Sequence, residues 1–362
     1  MKVTPLNGEH KRLNAKMTDF HGWEMPLQYT SIIEEHMAVR THAGIFDVSH
    51  MGDIVVEGSD ALRFMDYILP TKVSSMKDGE AAYSAFLSER GTMIDDTIVY
   101  RMNEEKVFFV PNAATTEKIR NHLTQTSYKF NVNIYNFSEN VFCIALQGPE
   151  SEHVLKEISL PQVKPFTFSS VPFDGHVNPL TGERDLIISG TGYTGERGVE
   201  VLGHSDDAVT VWRSLLDAVR EVGGRPCGLG ARNTLRMEKG MLLSGTDFDD
   251  NRDPYECSIS FIVNNDGDFI GKDALMKRKS ADTEIFRGFV CEGREIPRDG
   301  QKVYHDGAEV GIVTSGSISP ILGKGIALGF IKRELSKPGT RVTIDVRGKM
   351  AEARVSRPKI VP

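Results

Sequence analysis

Two adjacent carboxylates, Asp95 and Asp96, interrupt a run that otherwise reads as a buried β-strand, Gly91-Thr92-Met93-Ile94-Asp95-Asp96-Thr97-Ile98-Val99-Tyr100. Ile, Val, Thr and Tyr favour strands, whereas Asp is depleted from them. Side chains alternate between faces along a strand. Met93, Asp95, Thr97 and Val99 therefore share one face, and Ile94, Asp96, Ile98 and Tyr100 the other. Asp96 is then the only charge on its face, with isoleucine on both sides. A carboxylate among apolar neighbours has a raised pKa and needs a partner. That is the setting of a catalytic acid or base. The alternative is that both acids lie near a strand end and bind backbone amides.

At 362 residues the chain is too long for one ordinary core and suggests two or three domains. It is 40% hydrophobic and 26% charged, as soluble globular proteins are. No run approaches the apolar length of a membrane helix. The N-terminus, Met1-Lys2-Val3-Thr4-Pro5-Leu6-Asn7, has no apolar signal core, so a cytoplasmic location is expected. A net charge of -7 gives no support to nucleic-acid binding. The four cysteines are scattered without a Cys-x-x-Cys pair, which argues for single buried thiols over a zinc site or disulfides.

Short helices and strands alternate irregularly, which favours an α+β class. Ser31 to Arg40 reads as a helix with a Ser31-x-x-Glu34 capping box and Gly44 as its stop. Ser59–Leu69 and Thr115–Leu123 read as two more, and Pro149 is expected to open a helix over Glu150–Ile158. The clearest helix is Ser205–Val222, capped by Ser205, with Ala208, Val211, Trp212, Leu215 and Val219 on its apolar face and Gly223 ending it. After about residue 280 short strand-like runs separated by Gly- and Asp-rich turns take over (286–290, 301–304, 310–314, 326–331 and 341–346). They suggest a separate all-β domain, a small barrel or jelly roll.

Gly190-Thr191-Gly192-Tyr193-Thr194-Gly195 matches G-x-G-x-x-G after the strand Leu186-Ile187-Ile188. A dinucleotide site requires a helix next, but Gly198-Val199-Glu200-Val201-Leu202 is a strand pattern, so the nucleotide reading is rejected. A Gly-rich hairpin remains, or a close-approach loop over a ligand with Tyr193 free to pack and Glu200 on the returning strand. In Gly228-Leu229-Gly230-Ala231-Arg232 a loop enters a helix, and Arg232 lies near its start, where the dipole disfavours a cation. An anion-binding role or a merely exposed Arg would account for it. Asp47, Ser49 and His50 fall within one strand-like run, where neighbours face opposite ways and cannot converge as a triad. No Gly-x-Ser-x-Gly elbow is present, and the ten histidines show no metal spacing, so no metal is expected.

These pieces fall into an ordered series: Asp19-Phe20-His21-Gly22-Trp23-Glu24-Met25-Pro26-Leu27, Gly44 to Gly52, Ile94-Asp95-Asp96, Leu146-Gln147-Gly148-Pro149, Gly192-Tyr193-Thr194-Gly195-Glu196, Gly228 to Arg232, Thr314-Ser315-Gly316 and Ser319-Pro320. Over essentially its whole length the chain resembles the T-protein family of the glycine cleavage system, tetrahydrofolate-dependent aminomethyltransferases. The resemblance implies three domains in a clover-like arrangement around a central folate channel. Residues 1–280 would form the folate-binding region, two α+β domains interleaved in sequence, and residues 281–362 the C-terminal β domain. It implies transfer of the methylene of an aminomethyl group from the lipoyl arm of H-protein to tetrahydrofolate. Ammonia, 5,10-methylenetetrahydrofolate and dihydrolipoyl H-protein are the products. Tetrahydrofolate is the co-substrate; no metal, pyridoxal phosphate, nucleotide, nucleic acid or membrane is implied.

By the same resemblance Asp96 matches the catalytic aspartate and Asp95 the less critical acid. Met51, Tyr83, Asn112, Tyr193, Glu200 and Arg232 match folate-channel positions, Asp96 with them. A pterin presents an amino group and a ring N–H side by side, and one carboxylate such as Glu200 can accept from both. Arg232 can pair with Glu200 and donate to a ring oxygen or a folate carboxylate. Asp96 would orient the folate and stabilise positive charge at N5, or take a proton. Two positions depart from the family pattern: Gly190 stands where a larger residue, commonly Arg, is usual, and Phe261 where Trp is frequent. Rival readings are a related folate-dependent demethylase acting on a small methyl donor and a non-enzymatic folate-binding protein that assists iron–sulfur enzymes. The latter resembles a Lys-Gly-Cys-Tyr-x-Gly-Gln-Glu pattern that this chain lacks.

Overall fold

The strand that carries Asp95 and Asp96 runs Met93–Asn103 and pairs in a five-stranded sheet with Glu80–Leu87 and Lys106–Pro111, followed by Ile54–Glu57 and Asn133–Asn136. The computed structural model describes residues 1–281 and 283–362. Residue 282, which the expected division at 280/281 adjoins, lies outside them. The chain forms two compact units, residues 1–86 with 95–232 and residues 87–94 with 233–362. Among the described residues no helix is long and apolar enough to cross a membrane.

The first unit holds a second, six-stranded sheet in the order Phe168–Pro172, Asp185–Ser189, Gly198–His204, Val141–Gln147, Gly44–Asp47 and Arg225–Pro226. One strand of this sheet precedes the five-stranded sheet in sequence, and the other five follow it. Every residue of Val141–Gln147 is buried, as expected for a central strand covered on both faces. The helix Ala208–Glu221 packs Val211, Trp212, Leu215, Leu216 and Val219 into the core with Ile144, Leu146, Val199 and Val201. A third, three-stranded sheet joins Lys2–Val3, Trp23–Gln28 and Lys16–Phe20.

Local signals hold with instructive exceptions. The Ser31 hydroxyl accepts from the Glu34 backbone N–H at 3.3 Å and starts the helix Ile32–Thr41. Gly44 does not stop that helix but opens a strand, with Val39 and Cys227 crowding the place a β-carbon would fill. Pro149 precedes its helix by two residues, because Glu150 takes the cap position. Ser205 begins a single 3₁₀ turn, Ser205–Asp207, before the long helix, and Gly223 ends it at φ 76°. The strand expected through Phe46 to Met51 stops at Asp47, whose Oδ1 accepts from the Ser49 N–H at 2.9 Å and turns the chain.

The second unit contains a closed six-stranded barrel of Glu284–Cys291, Lys324–Lys332, Ala308–Ser319, Lys302–His305, Arg341–Val346 and Lys349–Ser356, one closed sheet where a jelly roll would need two. The last strand escapes sequence reading because its inward side chains are Ala351, Ala353 and Val355, and Ala is a poor strand former. Beside the barrel Arg236 is 2% exposed and donates to Asp247 Oδ2 at 2.5 Å and Ser315 Oγ at 2.8 Å. Thr314 and Ser315 each donate to Asp247 Oδ1 at 2.6 Å. The Thr314-Ser315 motif thus closes a buried ion pair. Removing one member of such a pair strands the other charge, at a cost of about 3–5 kcal/mol. Asp247→Ala is therefore expected to lower the urea midpoint of this unit, followed by hydrogen exchange in the strand Ala308–Ser319. Wild-type protection there would show that the pair contributes nothing.

Candidate active site

Antiparallel pairing sets Thr97 opposite Pro111, so Asn112, one step beyond the partner strand, lies level with Asp96. Strand alternation places Asp95 and Asp96 on opposite faces, yet the Asn112 side-chain amide donates to both, at 2.8 Å to Asp95 Oδ1 and 2.7 Å to Asp96 Oδ1. Asn112 can do this because it has left the pleat and reaches round the strand edge. Asp95 also accepts from the Asn112 backbone N–H at 2.9 Å and the Thr115 hydroxyl at 2.6 Å. It is fully buried and anchors the start of the helix Thr116–Thr126. Asp96 receives the Tyr83 hydroxyl at 2.7 Å. Burial and the neighbouring Asp95 carboxylate push the Asp96 pKa up to about 7, against the opposing hydrogen bonds from Tyr83 and Asn112. Asp95 thus binds a backbone amide of the neighbouring segment, as the alternative reading expects, whereas Asp96 is held chiefly by the Tyr83 and Asn112 side chains.

The glycine-rich loop is held by protein, not shaped for phosphate. Buried Gln147 sends its amide to the Thr191 and Val199 carbonyls at 3.2 and 3.3 Å and accepts the Thr194 hydroxyl at 2.7 Å. A β-carbon at Gly192 would collide with the Gln147 amide, and one at Gly190 with the Lys164 carbonyl. The absence of a larger side chain at position 190 is thus a packing requirement here. Arg40 fixes the far side of the loop, donating to the Thr194 carbonyl and to Glu196, both at 2.8 Å.

This loop carries Tyr193, and the strand that follows it carries Glu200, toward Arg232. The Arg232 guanidinium lies 4.6 Å from the Tyr193 ring centroid, a cation–π contact. Burial lowers the Arg232 pKa, with Tyr193 and Glu200 partly compensating. Arg232 is the fourth residue of the helix Leu229–Glu238, in the first turn as its sequence position implies. Glu200 Oε2 accepts the Thr191 hydroxyl at 2.5 Å. The structure thus assembles two groups, Tyr83–Asp96–Asn112 by hydrogen bonds and Tyr193–Glu200–Arg232 by a cation–π contact and charge, and Met51 is half-buried. Phe261 is 74% exposed, in the second unit.

Other polar residues have surroundings that nothing local in the sequence marks. Tyr100 shares the strand face of Asp96, roughly 13 Å further along at about 3.3 Å per residue, and its hydroxyl lies 3.2 Å from Thr191 Oγ1. Burial and then the Glu200 charge push the Asp53 pKa up to about 8. Burial and then Arg232 pull His50 down to about 4. Asp47 accepts the Thr4 hydroxyl at 2.6 Å and pairs with His10 Nε2 at 2.7 Å, while Tyr29 holds His10 Nδ1 at 2.8 Å. Asp47 therefore ties down the N-terminal segment and forms no triad with Ser49 and His50. Folding also gathers His176, His204 and Asp206, which sequence spacing did not suggest. His176 and Asp206 are exposed, and His176 Nδ1 is engaged by Asp207 at 2.9 Å.

The GCVT N-terminal domain family matches residues 6–267, and the glycine cleavage T-protein C-terminal barrel domain family matches residues 286–361. An aminomethyltransferase of Halothermothrix orenii is 42% identical, the match covering 98% of each chain. One from a Geobacillus species is 41% identical over 98% of this chain and 97% of its own. The crystal structure of glycine cleavage system aminomethyltransferase T from Bartonella henselae superposes with a TM-score of 0.91 at 30% identity, covering 99% of this chain and 98% of that one. Matched over most of its length by the two domain families and over 98% of it by these relatives, the chain belongs to the aminomethyltransferase (T-protein) family of the glycine cleavage system.

Proposed function

We propose that this chain transfers the methylene of an aminomethyl group from the lipoyl arm of H-protein to tetrahydrofolate, releasing ammonia and leaving 5,10-methylenetetrahydrofolate and dihydrolipoyl H-protein. The observation that carries this reading is Asp96, a buried carboxylate with a pKa of about 7, held by Tyr83 and Asn112. The family models end at 267 and resume at 286, which supports a folate-binding region over 1–280 and a barrel domain over 281–362. A cytoplasmic setting belongs to the same reading.

The residues fit a reduced pterin. Glu200 offers a carboxylate to a side-by-side amino and ring N–H pair, with the Arg232 guanidinium and Tyr193 ring beside it. Buried polar atoms are normally paired, yet His50 Nδ1, Asp53 Oδ1 and Ser84 Oγ have no protein partner. His50 and Ser84 adjoin Met51 and Tyr83 in sequence, and Asp53 feels the Glu200 charge. Bound tetrahydrofolate would supply the nucleophilic nitrogen. Asp96 would stabilise positive charge developing on that nitrogen and accept its proton. Tyr83 and Asn112 hold its two oxygens in fixed directions. Asp95, saturated by three donor groups, keeps Asn112 in place.

Asp96→Asn is expected to keep tetrahydrofolate affinity within about tenfold while cutting turnover at least about a hundredfold, measured as ammonia release from aminomethyl-loaded H-protein. Near-normal turnover would sink the assigned role. Glu200→Ala is expected mainly to weaken tetrahydrofolate binding; an unchanged calorimetric dissociation constant would remove Glu200 from the site.

Ionised Asp96 is the form required, so kcat/KM should rise with pH through about 7 and fall below it, a limb that Asp96→Asn abolishes. Stability moves oppositely. The folded-state pKa lies above the unfolded value, so the folded chain binds the proton more tightly, and this contribution is lost as pH rises through about 7. Relative to wild type, Asp96→Asn should gain stability between pH 5 and pH 8 in urea titrations. A pH-independent difference would contradict the shift.

A further inference from the structure

The loop residue Thr191 is absorbed neither by the nucleotide motif it mimics nor by the folate positions described above. It is 6% exposed, and its neighbours Ser189 and Tyr100 are 0% and 1% exposed. Four hydroxyl contacts link these residues to Glu200. Ser189 Oγ lies 2.9 Å from Thr191 Oγ1 and 3.4 Å from the Tyr100 hydroxyl, Tyr100 lies 3.2 Å from Thr191 Oγ1, and Thr191 donates to Glu200 Oε2 at 2.5 Å.

Counting protons fixes the direction of this network. A hydroxyl has one proton and two acceptor lone pairs, whereas an ionised carboxylate only accepts. The Thr191 proton goes to Glu200, so toward Ser189 and Tyr100 the Thr191 oxygen can act only as acceptor. Tyr100 can direct its one proton to Thr191, and Ser189 can direct its one proton to Thr191 or to the Tyr100 hydroxyl, so either route runs toward Glu200. Three hydroxyls therefore polarise one another toward a single carboxylate oxygen, a cooperative arrangement in a buried setting. The elements are rigid: Tyr100 is on the strand Met93–Asn103, Ser189 ends Asp185–Ser189, and Glu200 lies opposite Ser189 on Gly198–His204. Thr191 cannot drift, because its carbonyl accepts from Gln147 and the flanking Gly190 and Gly192 pack against Lys164 and Gln147.

We propose that Thr191, backed by Ser189 and Tyr100, is a positioning residue that holds the Glu200 carboxylate in the orientation that binds the pterin. Its hydroxyl occupies Oε2 and limits the directions in which the carboxylate can accept from a ligand. This inference rests on Glu200 being the pterin-binding carboxylate.

The test is a calorimetric double-mutant cycle on the full chain with tetrahydrofolate, under reducing conditions, alongside steady-state turnover. A buried hydrogen bond to a charged group is worth enough to change affinity by about tenfold or more. Thr191→Val is expected to weaken tetrahydrofolate binding at least about tenfold while kcat at saturating folate stays within about threefold. Thr191→Ser, which keeps the hydroxyl, should bind within about threefold of wild type. In a Glu200→Gln background, Thr191→Val should add less than about twofold, because the partner it positions has lost its charge. Wild-type affinity in Thr191→Val, an equal loss in both backgrounds, or a failure of Thr191→Ser to restore binding would each overturn the proposal. Glu200→Gln alone separates the two layers. If it binds tetrahydrofolate normally, the assignment of Glu200 fails and the proposal falls with it; if it binds weakly while Thr191→Val does not, only the positioning role fails.

Discussion

One side-chain amide keeps two adjacent buried carboxylates in usable form. Asn112 donates to Asp95 and Asp96 at 2.8 and 2.7 Å. Like charges this close repel strongly when water is excluded. The fold resolves the conflict asymmetrically. Asp95 takes the Asn112 backbone N–H and the Thr115 hydroxyl as well, so it has the donors an ionised carboxylate needs. Asp96 keeps Tyr83 and a shared Asn112, and the remaining cost appears as its raised pKa. An acid saturated with donors and an acid with a raised pKa thus arise side by side from one strand.

The clamp depends on where strands end. Asn112 reaches both acids only because it lies one residue past the Lys106–Pro111 strand, free of the pleat. Thr115, at the N-cap position of the next helix, donates its hydroxyl to Asp95 instead of capping its own helix. The glycine-rich loop is built on the same economy. From the end of a fully buried strand Gln147 satisfies the Thr191 carbonyl and the Thr194 hydroxyl of the loop and the Val199 carbonyl beyond it, and the glycines are small because Gln147 and Lys164 leave no room. A sequence pattern that elsewhere cradles phosphate serves here to bring a tyrosine and a glutamate to an arginine.

Motif residues do not all serve chemistry. Thr314 and Ser315 bind Asp247, which neutralises buried Arg236, and Ser319 donates to Glu238 at 2.5 Å. These are the donors that a buried ion pair and a buried carboxylate require. They hold the second unit together, whereas the acids and aromatic residues assigned to folate all belong to the first.

The sequence by itself determined the α+β class, the barrel-like ending, most helices and the suspicion attached to Asp96. Those readings rest on local quantities: hydrophobic period, capping chemistry, and a charge set between isoleucines. It also excluded a nucleotide site, because a strand pattern follows the glycines. Tertiary structure alone decided which acid is saturated with donors and which has a raised pKa, since Asn112 and Thr115 come from one other segment and Tyr83 from a second. It alone closed the barrel with an alanine-lined strand too weak in propensity to declare itself, and ended the strand at Asp47, where an Asx turn outweighs the apolar run. It alone joined Tyr100, Ser189 and Thr191 to Glu200. Propensity and periodicity act within a few residues, whereas these contacts join separate segments, and those of Tyr100 reach across eighty-nine and ninety-one residues of sequence from one sheet to another.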